Sequence, residues 1–282
     1  MKKLLIRTAS GTVYVLLMLF AIYGGRLLGW DSPEYPVKGN ALFTIIFFVI
    51  AMLCVYEYVH NLKLSGKPVN AVMTFVTSVV TCLLTSPLYY MNGFLPMILI
   101  LLIIPASVFA AQLWRTDDQP FAAIGYTLIP LFWIVMPIIF LSLLHLESPG
   151  YVMMLFIMIW VNDSFAYLTG MLLGRHKMWE RHSPGKTWEG TVGGFVFCVA
   201  SAAFVGPLFN TGIQSPWLWA AIAAVCSVVG TLGDLVESMF KRSCGVKDSG
   251  SIMPGHGGAL DRFDSILLTT PFLFVISLFA GL

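Results

Sequence analysis

The chain has 282 residues, of which 58% are hydrophobic and 11% charged, and its mean hydropathy is +0.84. This composition excludes a soluble protein of one or two ordinary domains and predicts an integral membrane protein. The formal net charge of +2 is too small to identify a partner, so the positions of the basic residues along the chain carry the information.

Apolar runs long enough to cross roughly 30 Å of hydrocarbon as helices occur about nine times. We therefore predict an all-α polytopic membrane protein with about nine transmembrane helices. We expect the first run to be a retained helix and not a signal peptide, because it is long and no A-x-A site follows it. The predicted spans are residues 4–24, 40–60, 69–89, 93–113, 121–145, 151–173, 190–206, 217–239 and 264–282.

The basic residues predict the orientation, because cytoplasmic loops retain Lys and Arg. With nine spans and the N-terminus inside, every one of the 16 Lys and Arg residues except Arg26 and Lys38 falls on the cytoplasmic side. An error of one span would scramble this division. We therefore predict an N-in, C-out topology in the inner membrane, with any site formed by these loops facing the cytoplasm.

The chain is predicted to divide into two regions. Residues 1–145 form a scaffold of about five helices with few polar groups. Glu57 is the exception there, and we interpret it as an interfacial carboxylate near the membrane surface, with a role in a site as the alternative. Residues 146–282 form a catalytic region of about four helices, with cytoplasmic loops at 174–190 and 240–263.

Asp163 is the first acidic residue that lies deep in an apolar run, roughly 16 Å from the predicted boundary. A lone carboxylate there costs at least about 2.5 kcal/mol, so it should face a polar cavity or a partner. Asn162, Ser164 and Tyr167 could line such a cavity. The alternative is a neutral, hydrogen-bonded Asp that joins helices.

The loop at 174–190 is basic and rich in turn residues. Ser183 leads through a Pro-Gly pair to Lys186, where a new helix is predicted to start. The exposed amides of a helix start favour anions, and Lys186 adds positive charge. An ordinary basic juxtamembrane segment is the alternative. Two pairs of glycines flank the loop with the small-xxx-small spacing of close helix contacts, Gly170 with Gly174 and Gly190 with Gly194.

Two pairs of acids predict a metal site. Asp234 and Glu237 are three residues apart and share a helix face, and Asp261 and Asp264 repeat this spacing at the start of the last span. Acids this close repel unless a cation or proton neutralises them. Carboxylate oxygens suit Mg²⁺. A salt bridge from Glu237 or Asp234 to a basic residue, Lys241 or Arg242, is the alternative.

Between these pairs the chain carries Lys247 and Asp248 and then a glycine-rich turn. Gly257 and Gly258, with Gly255, would let the backbone approach a ligand closely, as glycines do in loops that hold phosphate.

These residues resemble the signature of the phosphatidate cytidylyltransferases, also called CDP-diacylglycerol synthases, and the resemblance covers about residues 160–265. Ser183, Lys186 and Glu189 are similar to a second loop of that family, and Asp163 lies in a region similar to its intramembrane acid. The signature positions are Ser238, Lys241, Arg242, Lys247, Asp248, Pro254, His256, Gly257, Gly258, Asp261, Arg262 and Asp264.

The resemblance implies the transfer of CMP from CTP to phosphatidate, with release of pyrophosphate. It implies Mg²⁺ on Asp234 and Asp261, with Glu237 and Asp264 completing the acidic group, and a second, monovalent cation such as K⁺. Asp163, Asp234, Lys241 and Asp261 are the expected catalytic residues. The expected substrate-binding residues are Ser183, Lys186, Glu189, Arg242, Lys247, Asp248, His256, Gly257, Gly258 and Arg262.

The role of His256 is left open, and we favour a loop-shaping role over an acid that protonates pyrophosphate. The expected partners are CTP, phosphatidate and membrane lipids, with a homodimer possible and no nucleic acid. An ion-coupled transporter is the alternative from another class, since it too would carry intramembrane acids. A CTP-dependent polyprenol or phytol kinase is a nearer alternative, and it would release CDP instead of pyrophosphate.

Overall fold

A computed structural model describes residues 2–30, 36–85, 99–209, 211–255 and 257–279, and these are almost entirely helical. The helices of the N-terminal half are α1 (Lys2–Leu27), α2 (Pro36–Leu64), α3 (Ala71–Thr85), α4 (Ile104–Gln112), α5 (Pro120–Pro130) and α6 (Met136–Glu147). The remaining elements are α7 (Pro149–Leu173), β1 (Lys177–Trp179), β2 (Ser183–Thr187), α8 (Trp188–Val205), α9 (Pro216–Ser243) and α10 (Leu260–Phe279). Short π-helical turns at Leu99–Ile103 and Leu131–Val135 lead into α4 and α6.

Seven of the described helical segments are long and apolar enough to cross a membrane. They confirm the predicted class, an all-α polytopic membrane protein. The predicted spans 69–89 and 93–113 appear as the shorter apolar helices Ala71–Thr85 and Ile100–Gln112. Residues 86–98, between these two helices, lie outside the described residues. The count of nine and the N-in orientation therefore stay predictions.

The chain forms two compact units. The first comprises Met1–Leu146 together with Cys244–Arg262, and the second comprises Glu147–Ser243 together with Phe263–Leu282. The break after Leu146 lies beside the predicted boundary at 145. The loop that follows α9 groups with the N-terminal helices, although we expected it to belong to the C-terminal region.

Helix α3 shows how the first unit satisfies polar groups within an apolar chain. The buried face of α3 carries four hydroxyl residues, Thr74, Thr77, Ser78 and Thr81, and all but Thr81 donate to the backbone of their own helix. Thr74 and Ser78 donate to the carbonyl oxygens four residues earlier, at 2.9 and 2.7 Å. Hydroxyls that bond to their own helix add no unsatisfied donor to a membrane interior. The opposite face is exposed and apolar, as lipid contact requires.

Glycines bring the helices of the second unit into close contact. A Cβ atom at Gly190 would lie 2.7 Å from the carbonyl oxygen of Ala166, and one at Gly194 would lie 2.6 Å from that of Asn162. Helices α7 and α8 therefore pack backbone to backbone, which confirms the predicted role of this glycine pair. Gly233 on α9 has the same role against α10, where a Cβ atom would lie 2.7 Å from the carbonyl oxygen of Asp264.

We expect Gly194→Val to destabilise the protein by about 1–3 kcal/mol, because the new side chain forces α7 and α8 apart. Gly125→Val is the matched control, since it makes the same change within a helix where a Cβ atom would meet nothing within 4 Å. The measurement is the thermal midpoint of unfolding in detergent for both variants. Equal midpoints would contradict the packing role of Gly194.

Candidate active site

Three carboxylates from two helices meet in the second unit. Asp234 and Glu237 on α9 and Asp264 on α10 each offer an oxygen, and these oxygens lie within 4.8 Å of one another. The three-residue spacing puts the first two on one face of α9. Gly233 lets α10 approach that face, so Asp264 completes the acidic cluster.

Two lysines neutralise part of this cluster. The Nζ atom of Lys186 lies 2.7 Å from Oδ2 of Asp234 and donates a hydrogen bond to the carbonyl oxygen of Thr231 at 3.2 Å. The Nζ atom of Lys241 lies 2.5 Å from Oε2 of Glu237, whose side chain is fully buried. The alternative salt bridge therefore exists for Lys241, whereas Arg242 is exposed.

The charges of these five groups leave room for a cation. Three carboxylates and two ammonium groups have a formal charge of −1, and Asp163 adds a further negative charge within electrostatic range of Asp264. Carboxylates in a poorly solvated site repel one another unless opposite charge is near. The donors are all hard oxygens, which fits a divalent ion such as Mg²⁺ that also keeps water and phosphate ligands.

Asp163 lies on α7 beside Asn162, which connects this helix to α9. The hydroxyl group of Ser227 donates to Oδ1 of Asn162 at 2.5 Å, and Nδ2 of Asn162 lies 3.4 Å from Oδ1 of Asp163. The hydrogen bond that joins the two helices is thus made by Asn162. Asp163 itself is exposed at the protein surface, and Tyr167 is 70% exposed.

The loop predicted at 174–190 forms a β-hairpin. Lys177 pairs with Thr187, and Trp179 pairs with Ser183, in antiparallel register. Thr187 caps α8 by accepting a hydrogen bond from the amide of Gly190, which confirms the predicted helix start. The sequence does not indicate these strands, because a five-residue strand that contains Ser, Pro and Gly has no alternating pattern of apolar residues.

Glu189 holds the base of this hairpin. Its carboxylate accepts hydrogen bonds from the backbone amides of Arg175 and His176 at 3.1 and 3.2 Å, and it contacts Nδ1 of His176 at 2.5 Å. We expected Glu189 to bind substrate. The described contacts fix the hairpin, whose second strand places Lys186 beside Asp234. A contact of Glu189 with substrate stays a prediction.

Asp261 belongs to the first unit, whereas the acidic cluster belongs to the second. Oδ2 of Asp261 accepts hydrogen bonds from the amides of Ser249 and Gly258 at 2.8 and 2.7 Å, and it lies 3.0 Å from the hydroxyl oxygen of Ser249. These contacts give Asp261 a role in organising its own loop. A cation shared by Asp261 and Asp234 stays a prediction.

The glycine-rich turn uses its amides within the protein. The amide of Gly258 donates to Asp261, and those of Ala259 and Leu260 donate to Glu57. Gly257 has a φ of +85°, and a Cβ atom there would lie 2.4 Å from Oδ2 of Asp261. A side chain at Gly257 would therefore disturb Asp261 first. His256 lies outside the described residues.

Glu57 is buried inside the protein and does not reach solvent, as an interfacial carboxylate would. It is only 3% exposed, and the hydroxyl of Ser249 is a third donor to its carboxylate, at 2.7 Å. The interfacial interpretation of Glu57 is therefore wrong. Glu57 lies within an apolar span, and an acidic residue in such a position usually faces the protein interior and has hydrogen-bond partners there. This position is the sequence signal that favours a buried Glu57.

Three of the other residues predicted to bind substrate lie on the loop after α9 or at the start of α10, and the fourth lies in β2. Lys247 and Asp248 are exposed, and Arg262 is half-buried at the start of α10. Ser183 is half-buried in β2. Their roles toward a ligand stay predictions.

The chain was compared with known proteins. A sequence model described as "Cytidylyltransferase family" matches residues 6–279. A phosphatidate cytidylyltransferase of Staphylococcus saprophyticus is 45% identical over 139 residues, which are 49% of this chain and 53% of the relative. Proteins of the same name from Staphylococcus epidermidis and Staphylococcus aureus are 45% and 44% identical over 130 residues, 46% of this chain and 50% of each relative. The matches span about half the length of these curated relatives.

We expect Asp264→Asn to weaken the binding of a divalent cation by about 10-fold or more, because the cluster loses one of its charged oxygen ligands. Asp118→Asn is the matched control, since Asp118 is an exposed carboxylate outside the cluster. Titration of the purified protein with Mn²⁺, followed by electron paramagnetic resonance, measures the binding directly. Equal affinity in the two variants would contradict the metal assignment and favour the lysines as the cluster's sole counter-ions.

Proposed function

The chain belongs to the cytidylyltransferase family, and we propose that it transfers the CMP group of CTP to phosphatidate to form CDP-diacylglycerol. The observation that carries this proposal is the acidic cluster of Asp234, Glu237 and Asp264 with Lys186 and Lys241 against it. The three relatives named as phosphatidate cytidylyltransferases support the choice of phosphatidate as acceptor.

The chemistry makes few demands on acid–base groups. A phosphate oxygen of phosphatidate attacks the α-phosphorus of CTP, a new P–O bond forms, and the bond between the α-phosphorus and the bridging oxygen to the β-phosphate breaks. Pyrophosphate leaves with that bond's electron pair. The nucleophile is already an anion, so the protein has to hold two polyanions together and offset their charge.

The cluster residues suit that task. Asp234, Glu237 and Asp264 would hold Mg²⁺, which when bound neutralises phosphate charge and polarises the phosphorus–oxygen bonds. Lys186 reaches the cluster from β2, and Lys241 reaches it from the last turn of α9. Their ammonium groups supply positive charge beside the carboxylates, where phosphate oxygens would also gather.

The depth of the cluster suits a lipid substrate. Roughly 14 Å of helix separates Asp234 from the end of α9. A phosphate group held near this level leaves its acyl chains in the hydrocarbon. We further propose that the site opens toward the cytoplasm, where CTP is made, which agrees with the division of basic residues along the chain. The inner membrane, the monovalent cation and the homodimer belong to the same proposal.

The test is an assay of pyrophosphate release from CTP and phosphatidate by the purified protein in mixed micelles, with and without Mg²⁺. We expect release that depends on both substrates and on the metal. Release of CDP would indicate a kinase. No nucleotide turnover under any of these conditions would contradict the proposal and leave a transporter as the alternative.

In the same assay we expect Asp234→Asn to lower kcat by roughly 10² to 10³-fold, because one preorganised electrostatic contact is lost. The matched control is again Asp118→Asn, which should keep wild-type turnover. Thermal stability is measured in parallel, so that a folding defect is not mistaken for a chemical one. Wild-type kcat and Mg²⁺ dependence in Asp234→Asn would contradict the role of the cluster.

A further inference from the structure

Glu57, in the last third of the scaffold helix α2, anchors the loop that follows α9. Its carboxylate accepts hydrogen bonds from the hydroxyl of Ser249 at 2.7 Å and from the amides of Ala259 and Leu260 at 2.8 and 2.9 Å. The two segments in contact, α2 and the loop, both belong to the first compact unit. Three donors from one loop therefore converge on a single side chain of α2.

Two of the donors to Glu57 are backbone amides at the start of α10, where a helix lacks its own acceptors. Ala259 and Leu260 are at the start of α10, and the first amides of a helix have no acceptor within that helix. An anion there also meets the positive end of the helix dipole. Glu57 thus caps α10 from another helix, and these bonds offset the cost of burying its charge.

A second contact between α2 and the loop lies earlier in the loop, at Ser249. Nδ2 of Asn61, one turn after Glu57 on α2, donates to the carbonyl oxygen of Ser249 at 2.7 Å. The hydroxyl of Ser249 lies within hydrogen-bonding distance of Glu57 and of Asp261. Residues of α2 therefore hold the loop at Ser249 and again at Leu260.

The glycines of the loop are fitted to Glu57. A Cβ atom at Gly250 would lie 2.4 Å from Oε1 of Glu57, and one at Gly258 would lie 2.3 Å from Oε2. Any side chain at either position would displace the carboxylate. Gly258 therefore serves the approach of an internal carboxylate, where the sequence suggested the approach of a phosphate.

We propose that Glu57 is a positioning residue for the reaction, acting through the loop from Cys244 to Leu260. The inference rests on the proposed function. The loop carries Lys247 and Asp248 and leads directly to Arg262, which we expect to bind the substrates. Glu57 fixes the backbone from which these side chains extend, and it touches no substrate itself.

The test uses Glu57→Gln, which keeps the size of the side chain. One oxygen of Glu57 accepts from Ala259, and the other accepts from Leu260 and Ser249. A glutamine amide has one oxygen, so its NH₂ group must face at least one of these donors. Tyr58→Phe is the matched control, because it removes a hydrogen bond from the adjacent residue of α2 to the carbonyl oxygen of Tyr126.

Hydrogen exchange of the full-length protein in nanodiscs measures the order of the loop. In Glu57→Gln we expect amides 258–260 to exchange roughly 10 to 100-fold faster than in the wild type, since the loss of a hydrogen bond to a charged group has that effect. We expect wild-type exchange there in Tyr58→Phe. Unchanged exchange in Glu57→Gln would overturn the anchoring role.

Kinetics then tests the positioning role separately. We expect Glu57→Gln to raise KM for CTP by about 10-fold or more and to change kcat less, because the loop loses order while the acidic cluster is intact. Ser249→Ala, which removes one of the three donors, should give a smaller effect in the same direction, and it replaces Glu57→Gln if that variant does not fold. Wild-type kinetics despite faster exchange would overturn the positioning role. Absence of turnover in the wild type itself would instead count against the proposed function, and the exchange result would be unaffected.

Discussion

A carboxylate within a membrane-spanning helix is stable only where donors or positive charges surround it, and this constraint organises both units of the protein. In the second unit, Asp234 and Glu237 meet lysine ammonium groups. In the first unit, Glu57 and Asp261 meet the hydroxyl and the amides of one loop. The two solutions differ in chemistry. Ammonium groups balance charge beside a prospective cation site, whereas amides fix the course of the backbone.

Glycine makes both solutions possible. At Gly233 the absence of a side chain lets α10 approach α9, so that Asp264 reaches the two acids of α9. At Gly250 and Gly258 it lets the loop backbone approach Glu57 within hydrogen-bonding distance. Glycine thus acts here through close approach between segments. At Gly257, where φ is +85°, conformational freedom matters as well.

The parts of the site that follow from local spacing could be predicted from the sequence. Asp234 and Glu237 share a helix face at three residues, and Glu237 and Lys241 are one turn apart, so their pairing depends on α9 alone. The partners of Glu57 lie about 200 residues away, and no local pattern indicates such contacts. The contacts of Asp261 were likewise not predictable from local spacing. Its spacing to Asp264 repeats that of the first pair, but its oxygen faces the loop that precedes it.

The two lysines beside the acidic cluster affect how the helices that carry it can assemble in the membrane. Lys186 and Lys241 are counter-ions that remain part of the chain, one supplied by a hairpin and the other by the same helix as its partner. Helices α9 and α10 can therefore come together in the bilayer before any metal arrives. An incoming cation must compete with these ammonium groups for the oxygens of Asp234 and Glu237, which weakens the binding of a free ion. Under the proposed function, a cation bound to a triphosphate would bring its own anion for the lysines. The acidic cluster would then take up its metal together with the nucleotide, and folding of the protein would not depend on the supply of free metal.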